Sequence, residues 1–274
     1  MLLDHGEVYN SLLLFSPDGH MWRYDKNYPF GWERGSFRKT SLKPKITVAE
    51  TRLGNIGFLI CWDAAHLNLW DSYAGQIDMM VISSCSVDLG HGIYSFPNGD
   101  QVTLEDLGSR MAAFKNTAGY IFGDMVNQQT AWLGVPMVLA GGFGNLRARI
   151  PHGRQFWLGY SLFAPWLLKY LPQADRLDFS FSLVPECKVV NANGEILTRL
   201  IPQDGEAFAA AELTLAETRP KPDKQQPESQ VTPLAYFSAD VYMPMIAKSV
   251  YRKGKKKWRN MEGNAASEFK STTH

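Results

Sequence analysis

Gly57-Phe58-Leu59-Ile60-Cys61-Trp62-Asp63 is the stretch whose reading decides the fold. Residues 56–60 form a short, uninterrupted apolar run. That is the pattern of a strand covered on both faces. Leu67, Trp70 and Tyr73 then recur at helical spacing. Cys61 therefore stands where a buried strand hands over to a helix. A thiol on such an elbow is held out on a tight turn. Backbone N–H groups beside it can hold a developing oxyanion, and the helix start favours a thiolate. The competing reading of Cys61 is a small core residue, because free cysteine is often buried.

Working outward, residues 11–15 and 20–24 read as a hairpin across Ser16-Pro17-Asp18-Gly19. The loop after it, Tyr24-Asp25-Lys26-Asn27-Tyr28-Pro29-Phe30-Gly31-Trp32-Glu33, sets a lysine and a glutamate among aromatic residues. A lysine in a semi-apolar site can stabilise an oxyanion and move protons, and a nearby carboxylate keeps it charged. A solvated surface lysine is the other reading.

Further strands are expected over residues 45–51, 78–83, 119–126, 136–140 and 206–213. Residues 103–118 carry Leu104, Leu107, Met111 and Phe114 on one helical face. Residues 181–190 are expected to pair with 195–200 across Asn191-Ala192-Asn193-Gly194. The alternation of strands and helices predicts a layered α/β domain. Residues 219–231 (RPKPDKQQPESQV) have the composition of a linker or a surface arm. Residues 252–259 (RKGKKKWR) are a basic run, read as a fraying tail. The aromatic segment 156–170 (FWLGYSLFAPWLLKY) suits a pocket cap, a subunit interface or a membrane surface, burial in an oligomer being the plainest.

Composition narrows the function. The 274 residues carry a net charge of +1, which gives no bulk field to attract nucleic acid. The three cysteines, Cys61, Cys85 and Cys187, are odd in number and widely spaced, against a disulfide framework or a zinc site. A reducing, cytoplasmic setting follows. No run reaches the roughly 18 apolar residues that a membrane span needs, and the first residues do not read as a secretory signal.

The order Tyr9-Asn10-Ser11, Asp18-Gly19, Lys26, Pro29, Glu33, Glu50-Thr51 and Ile60-Cys61-Trp62-Asp63 resembles the nitrilase, or carbon–nitrogen hydrolase, superfamily. Residues 110–116 (RMAAFKN) and Asn127 resemble its helix and the asparagine-bearing strand that follows. Gly141-Gly142-Phe143-Gly144, Asn193-Gly194-Glu195-Ile196-Leu197 and Ala211-Glu212-Leu213 resemble its closing strands. The resemblance runs from about residue 8 to 215. It implies a four-layer αββα sandwich over residues 1–218, with 219–274 as a C-terminal extension. It also implies a Glu–Lys–Cys catalytic set. Cys61 takes the nucleophile's place and Lys26 the lysine's. Glu33 matches the additional glutamate that positions active-site groups, and the Trp62 backbone N–H completes an oxyanion hole with Lys26.

The match omits the family's first strands and the upstream glutamate that acts as base, so the sandwich is expected to be N-terminally truncated. Glu7 lies in the wrong place to substitute, and Lys115 stands where the family often has glutamate. The implied reaction is hydrolysis of a non-peptide carbon–nitrogen bond through a thioester, an amide being the first substrate class and a nitrile or carbamoyl group the others. No metal or organic cofactor is implied, and a homo-oligomer is expected. Three other readings stand beside it. One is a thiol peptidase pairing Cys61 with His66 or His91. Another is an inactive binding or regulatory protein, or a gene fragment, without its base. The third is acyl transfer to an amine.

Overall fold

The computed structural model describes residues 1–271 apart from Leu42, Ala113 and Phe163. Among the described residues the fold is α/β. Its strands, in chain order, are β1 (Leu2–Asp4), β2 (Glu7–Tyr9), β3 (Ser11–Phe15), β4 (Met21–Asp25), β5 (Val48–Thr51), β6 (Gly54–Ile60) and β7 (Met79–Ser84). They continue with β8 (Val87–Ser95), β9 (Gln101–Thr103), β10 (Met137–Gly141), β11 (Asn145–Arg149), β12 (Asp178–Leu183), β13 (Cys187–Val190) and β14 (Ile196–Leu200). The α-helices are α1 (Leu67–Tyr73), α2 (Ser109–Ala112), α3 (Thr117–Tyr120), α4 (Val126–Leu133), α5 (Gly153–Ser161), α6 (Pro233–Tyr236) and α7 (Met243–Ser271).

The principal sheet runs β14-β13-β10-β7-β6-β5. Its centre is parallel, with β6 against β7 and β7 against β10, and its flanks are antiparallel. A second, antiparallel sheet runs β11-β12-β8-β9. β6 sits inside the principal sheet and alternates as a strand must. Ile56, Phe58 and Ile60 pack with Tyr24 under the β3–β4 hairpin, whereas Leu59 joins the main core with Trp70 and Tyr73 of α1. Each such apolar side chain contributes roughly 1.5–3 kcal/mol on burial. The strand that delivers Cys61 is thus clamped from both sides.

The β3–β4 hairpin and the turn at residues 191–194 form as expected. Other elements differ. Residues 119–126 are helical: α3, a π-helical turn over Ile121–Met125 and α4 run on continuously. An apolar run this short suits a strand or a helix equally, and Asn127 therefore lies on a helix. Residues 103–118 are broken rather than one helix, because Gly108 takes φ +92° between a short 3₁₀ turn and α2. Leu104, Leu107, Met111 and Phe114 are nonetheless in the core. Within that stretch, Ala113 of the 110–116 motif lies outside the described residues. Residues 181–190 divide between the two sheets, with β12 pairing β8 and β11 and only β13 pairing β14. Pro185, which cannot donate to a ladder, falls at the break. Residues 206–213 form no strand, and Phe208 is exposed.

The C-terminal basic run does not fray at its start. Residues 233–271 are helical throughout, from α6 through a π-helical segment (Phe237–Tyr242) into α7. Ala239, Met243 and Ala247 are buried, at i, i+4 and i+8. They dock on the 3₁₀ helix Gly31–Gly35, which follows Lys26. Gly31 has φ +40°, and a Cβ there would lie 2.8 Å from the Met243 sulfur, so the close approach requires glycine. Ahead of this helix, residues 219–231 lie along α4. Gln226 bonds Gln129, Gln129 donates to the Pro227 carbonyl, and Trp132 donates to that of Lys224.

Candidate active site

Cys61 ends β6 with φ +49°, one of three non-glycine residues with positive φ among those described. A β-carbon in that region costs about 1–2 kcal/mol. The strain is held by β6 behind it and the 3₁₀ turn Cys61–Ala65 ahead of it. The elbow inferred from the apolar run is therefore present in the backbone.

Lys26 follows β4, and its backbone N–H donates to the Asn10 carbonyl (2.8 Å). Its side chain is 1% exposed, and Nζ donates to Glu33 Oε2 at 2.6 Å. The same oxygen accepts the Phe30 N–H at 2.6 Å, while Oε1 takes a longer bond from Asn10 Nδ2 (3.4 Å). Glu33, placed by the 3₁₀ turn, is thus fixed by three donors. Burial alone would discharge Lys26. The Cys61 sulfur, the Glu33 carboxylate and Asp63 outweigh it and hold the ammonium above its usual range. The solvated-lysine reading is excluded. Glu33, Cys61 and Trp62 line one small cavity of about 90 Å³, together with Phe30, Trp32 and Cys85. Of the four residues expected at the site, Cys61, Glu33 and Trp62 share this cavity, and Lys26 is joined to it through its bond to Glu33.

Asp63 was not legible as a site residue. It is fully buried beneath the elbow. Its Oδ2 accepts the Tyr24 hydroxyl (2.7 Å) and the Asn27 N–H (3.2 Å), and Oδ1 accepts the Tyr28 N–H (2.7 Å). It ties the lysine loop to the cysteine turn. Burial lifts its pKa to about 6, against the lowering effect of Lys26 and these hydrogen bonds. The only sequence signal was a carboxylate two residues after the thiol. Asp240, from the distant C-terminal helix, accepts the Trp62 indole N–H at 2.8 Å.

Neither His66 nor His91 forms a hydrogen-bonded dyad with Cys61. His91 is exposed and paired with Asp88 at 2.7 Å. His66 stacks on Tyr28 at 3.5 Å between centroids and packs edge-on against Trp62. Neither lines the cavity of Cys61. Burial, with repulsion from Lys39 and Lys26, pushes His66 down to about 3, so it is neutral and a poor base at neutral pH. Among the described residues no group of three or more histidine, cysteine or carboxylate side chains is arranged to hold a metal. Lys115 pairs with Glu105 at the surface.

His66 has a pH consequence. Its folded pKa lies below the ordinary value of about 6.5. The unfolded chain therefore binds the extra proton first, and stability falls as pH drops from about 6.5 toward 3. Asp63 acts oppositely. Its raised pKa adds stability that is full below about 3.9 and is lost as pH rises through 6. Urea midpoints of His66→Phe compared with the parent across pH 4–7 isolate the histidine. The variant is expected to lose the acid-side decline. An unchanged slope would show that His66 is not the group responsible.

A family model described as carbon-nitrogen hydrolase matches residues 2–223. No curated protein sequence matches. Among solved structures, a carbon-nitrogen hydrolase from Helicobacter pylori G27 is 16% identical, covering 72% of this chain and 54% of its own, with a TM-score of 0.42. Saccharomyces cerevisiae Nit3, a member of branch 10 of the nitrilase superfamily, is 15% identical, with coverages of 71% and 49% and a TM-score of 0.41. A mutant amidase from Nesterenkonia sp. AN1, with the acetamide moiety of fluoroacetamide added at its active-site cysteine, is 12% identical, with coverages of 69% and 50% and a TM-score of 0.41. The chain spans about half the length of these structures. The family model spans well over half of the chain, and by that match the protein belongs to the carbon-nitrogen hydrolase family.

Proposed function

We propose that this chain is a thiol-dependent hydrolase of non-peptide carbon–nitrogen bonds, with a small amide as its substrate class and a nitrile or carbamoyl compound as the nearest alternatives. The observation that carries the reading is that a strained Cys61 and Glu33 line one cavity, and that Glu33 is ion-paired at 2.6 Å with the buried, charged Lys26. Cys61 Sγ attacks the carbonyl carbon and forms the C–S bond. Lys26 Nζ and the Trp62 backbone N–H stabilise the oxyanion. The C–N bond breaks, and ammonia or an amine leaves with the thiol proton. Water then attacks the thioester, releasing the acid and restoring the thiol. Glu33 holds and orients Lys26. A reducing, cytoplasmic location and a homo-oligomer belong to the same reading, the former supported by three free cysteines. Residues 219–274 are read as an extension of the 1–218 domain.

A second reading is a binding or regulatory protein of the same fold. It is favoured by Glu33 being the one carboxylate that lines the Cys61 cavity among the described residues, while committed to Lys26. Fluoroacetamide and a panel of simple amides and nitriles separate the two. A catalyst labels at Cys61 well before Cys85 or Cys187, located by peptide mass, and releases ammonia from some member of the panel. Labelling of Cys61 without turnover supports the second reading. Preferential labelling of Cys85, the exposed thiol, overturns the nucleophile assignment.

A further inference from the structure

The C-terminal helix has an exposed stripe that the catalytic reading does not use. Phe237, Val241 and Met245 recur along it at i, i+4 and i+8, each 53–70% exposed. On α5 and at its C-terminal cap, Leu158 and Leu162 are exposed, the latter 78%. The two helices are locked together. Tyr242 donates to the Gln155 carbonyl (3.0 Å), and the Cβ-free face of Gly159 accepts the Tyr242 ring. Leu162 and Phe237 border the same apolar cavity. Leu162 and Phe237 therefore join the exposed apolar side chains of the two helices, on a scaffold fixed from beneath by Ala239, Met243 and Ala247.

The same stripe then changes character. Beyond Met245 the exposed positions up to residue 256 are Lys248, Ser249, Arg252, Lys253, Gly254 and Lys256, four of the six cationic. Lys248 and Arg252 also edge a cavity of about 590 Å³ between α7 and the segment after Lys26. Arg34, Arg38, Lys39 and Lys255 complete its cationic lining. Against these six stands one carboxylate, Glu7, which Arg38, Lys255 and the Tyr251 hydroxyl already engage. Burial works to raise Glu7, and these partners still hold it down to about 2, so it stays ionised and cannot take on more cations. Arg34, Lys248 and Arg252 form no ion pair among the described residues. Half-buried Arg34 faces Arg38 without a carboxylate of its own. Cations gathered this way repel unless an anion lies between them.

The geometry points to a peripheral docking face for an anionic lipid bilayer, with the apolar stripe of α5 and the C-terminal helix entering the acyl boundary and the cationic cavity taking the headgroup phosphates. The exposed stripe from Phe237 to Arg252 runs about 22 Å at 1.5 Å per residue. That length suits a helix lying in the interface. No helix among the described residues is long and apolar enough to cross a membrane, so the contact is monotopic. A bilayer offers hydrocarbon and a dense plane of phosphates side by side, matching the order along the helix. A second copy of this chain matches it less well. A two-fold contact would bring the cationic end against itself if the helices ran parallel, and against the partner's apolar end if they ran antiparallel.

The test is flotation of the full chain with vesicles of phosphatidylcholine alone and of phosphatidylcholine mixed with phosphatidylglycerol. Binding is expected to the mixed vesicles, at least about tenfold stronger than to neutral ones, and weakened by salt. Lys248→Gln with Arg252→Gln should reduce it about 25-fold, roughly fivefold per cation. Val241→Asp should abolish it. These side chains are exposed, so unfolding midpoints should be unchanged, and a urea titration checks that each variant is folded. Absence of binding overturns the proposal, as does equal binding to both vesicle types or indifference to the double substitution. An oligomer that Val241→Asp dissociates, in a chain that ignores vesicles, assigns the face to a second copy and also overturns it. None of these readouts depends on hydrolysis, so the outcome stands apart from the catalytic reading.

Discussion

Cys61→Ala is expected to lose at least about four orders of magnitude in amide turnover while keeping its fold. The loss follows because no second thiol can take over the position. Cys85 lines the same cavity but is presented from the end of β7, not from the strained elbow. The fold should survive because alanine at φ +49° meets the same backbone cost that cysteine already carries. Cys61→Gly sharpens the point. Glycine adopts positive φ without a Cβ penalty, so this variant should be at least as stable as the parent and equally inactive. Catalysis by a site that is less stable than it could be is the mark of strain kept for presentation of the nucleophile. Ammonia release under saturating amide, with urea unfolding of each variant, measures both halves. Turnover retained by Cys61→Ala would end the nucleophile assignment. Inactivity with a collapsed unfolding midpoint would reduce Cys61 to a packing residue.

The parts of this site that were legible in the sequence are those that local rules specify. A strand of seven residues with five consecutive buried positions announces itself as a run. The hairpin before the lysine announces itself through Ser16-Pro17-Asp18-Gly19. Residues 119–126 misled because an eight-residue apolar stretch has too few turns to separate period 2 from period 3.6. Residues 206–213 misled because alternation is a property of a chain, whereas a strand also needs a partner to take its hydrogen bonds. Asp63 and Asp240 were out of reach for a different reason. Their partners are backbone amides and an indole up to 178 residues away, and no local pattern encodes such a meeting. The docked C-terminal helix lay between these cases. Ala239, Met243 and Ala247 carried a helical apolar repeat, but the basic residues after them and the polar, proline-rich arm before them suggested an unattached tail.

Lys26→Met is expected to lower kcat by about two to three orders of magnitude with little change in KM. Methionine fills nearly the same volume, so the variant removes a charge rather than a wedge. In the ground state Lys26 answers Glu33 at 2.6 Å. In the proposed transition state it also faces the oxyanion, and only the second interaction accelerates the reaction. Two carboxylates then change differently. Glu33 is partly open to solvent and keeps the Phe30 N–H, so it can rehydrate. Asp63 is fully enclosed and loses the cation that opposes its burial. Its pKa, already about 6, should climb further, which moves its proton uptake toward neutral pH. Because a raised carboxyl pKa takes stability away as pH rises through it, Lys26→Met should unfold at lower urea than the parent above pH 6 and approach it below pH 4. A purely structural lysine predicts a different pair of results. It would give the same pH-dependent stability loss, but with kcat near normal at a temperature where the variant is folded. Lys26→Arg separates charge from geometry. A guanidinium retains the charge, so it should restore the stability profile. Its wider planar head cannot reproduce the ammonium's buried position 2.6 Å from Glu33, so kcat should stay low.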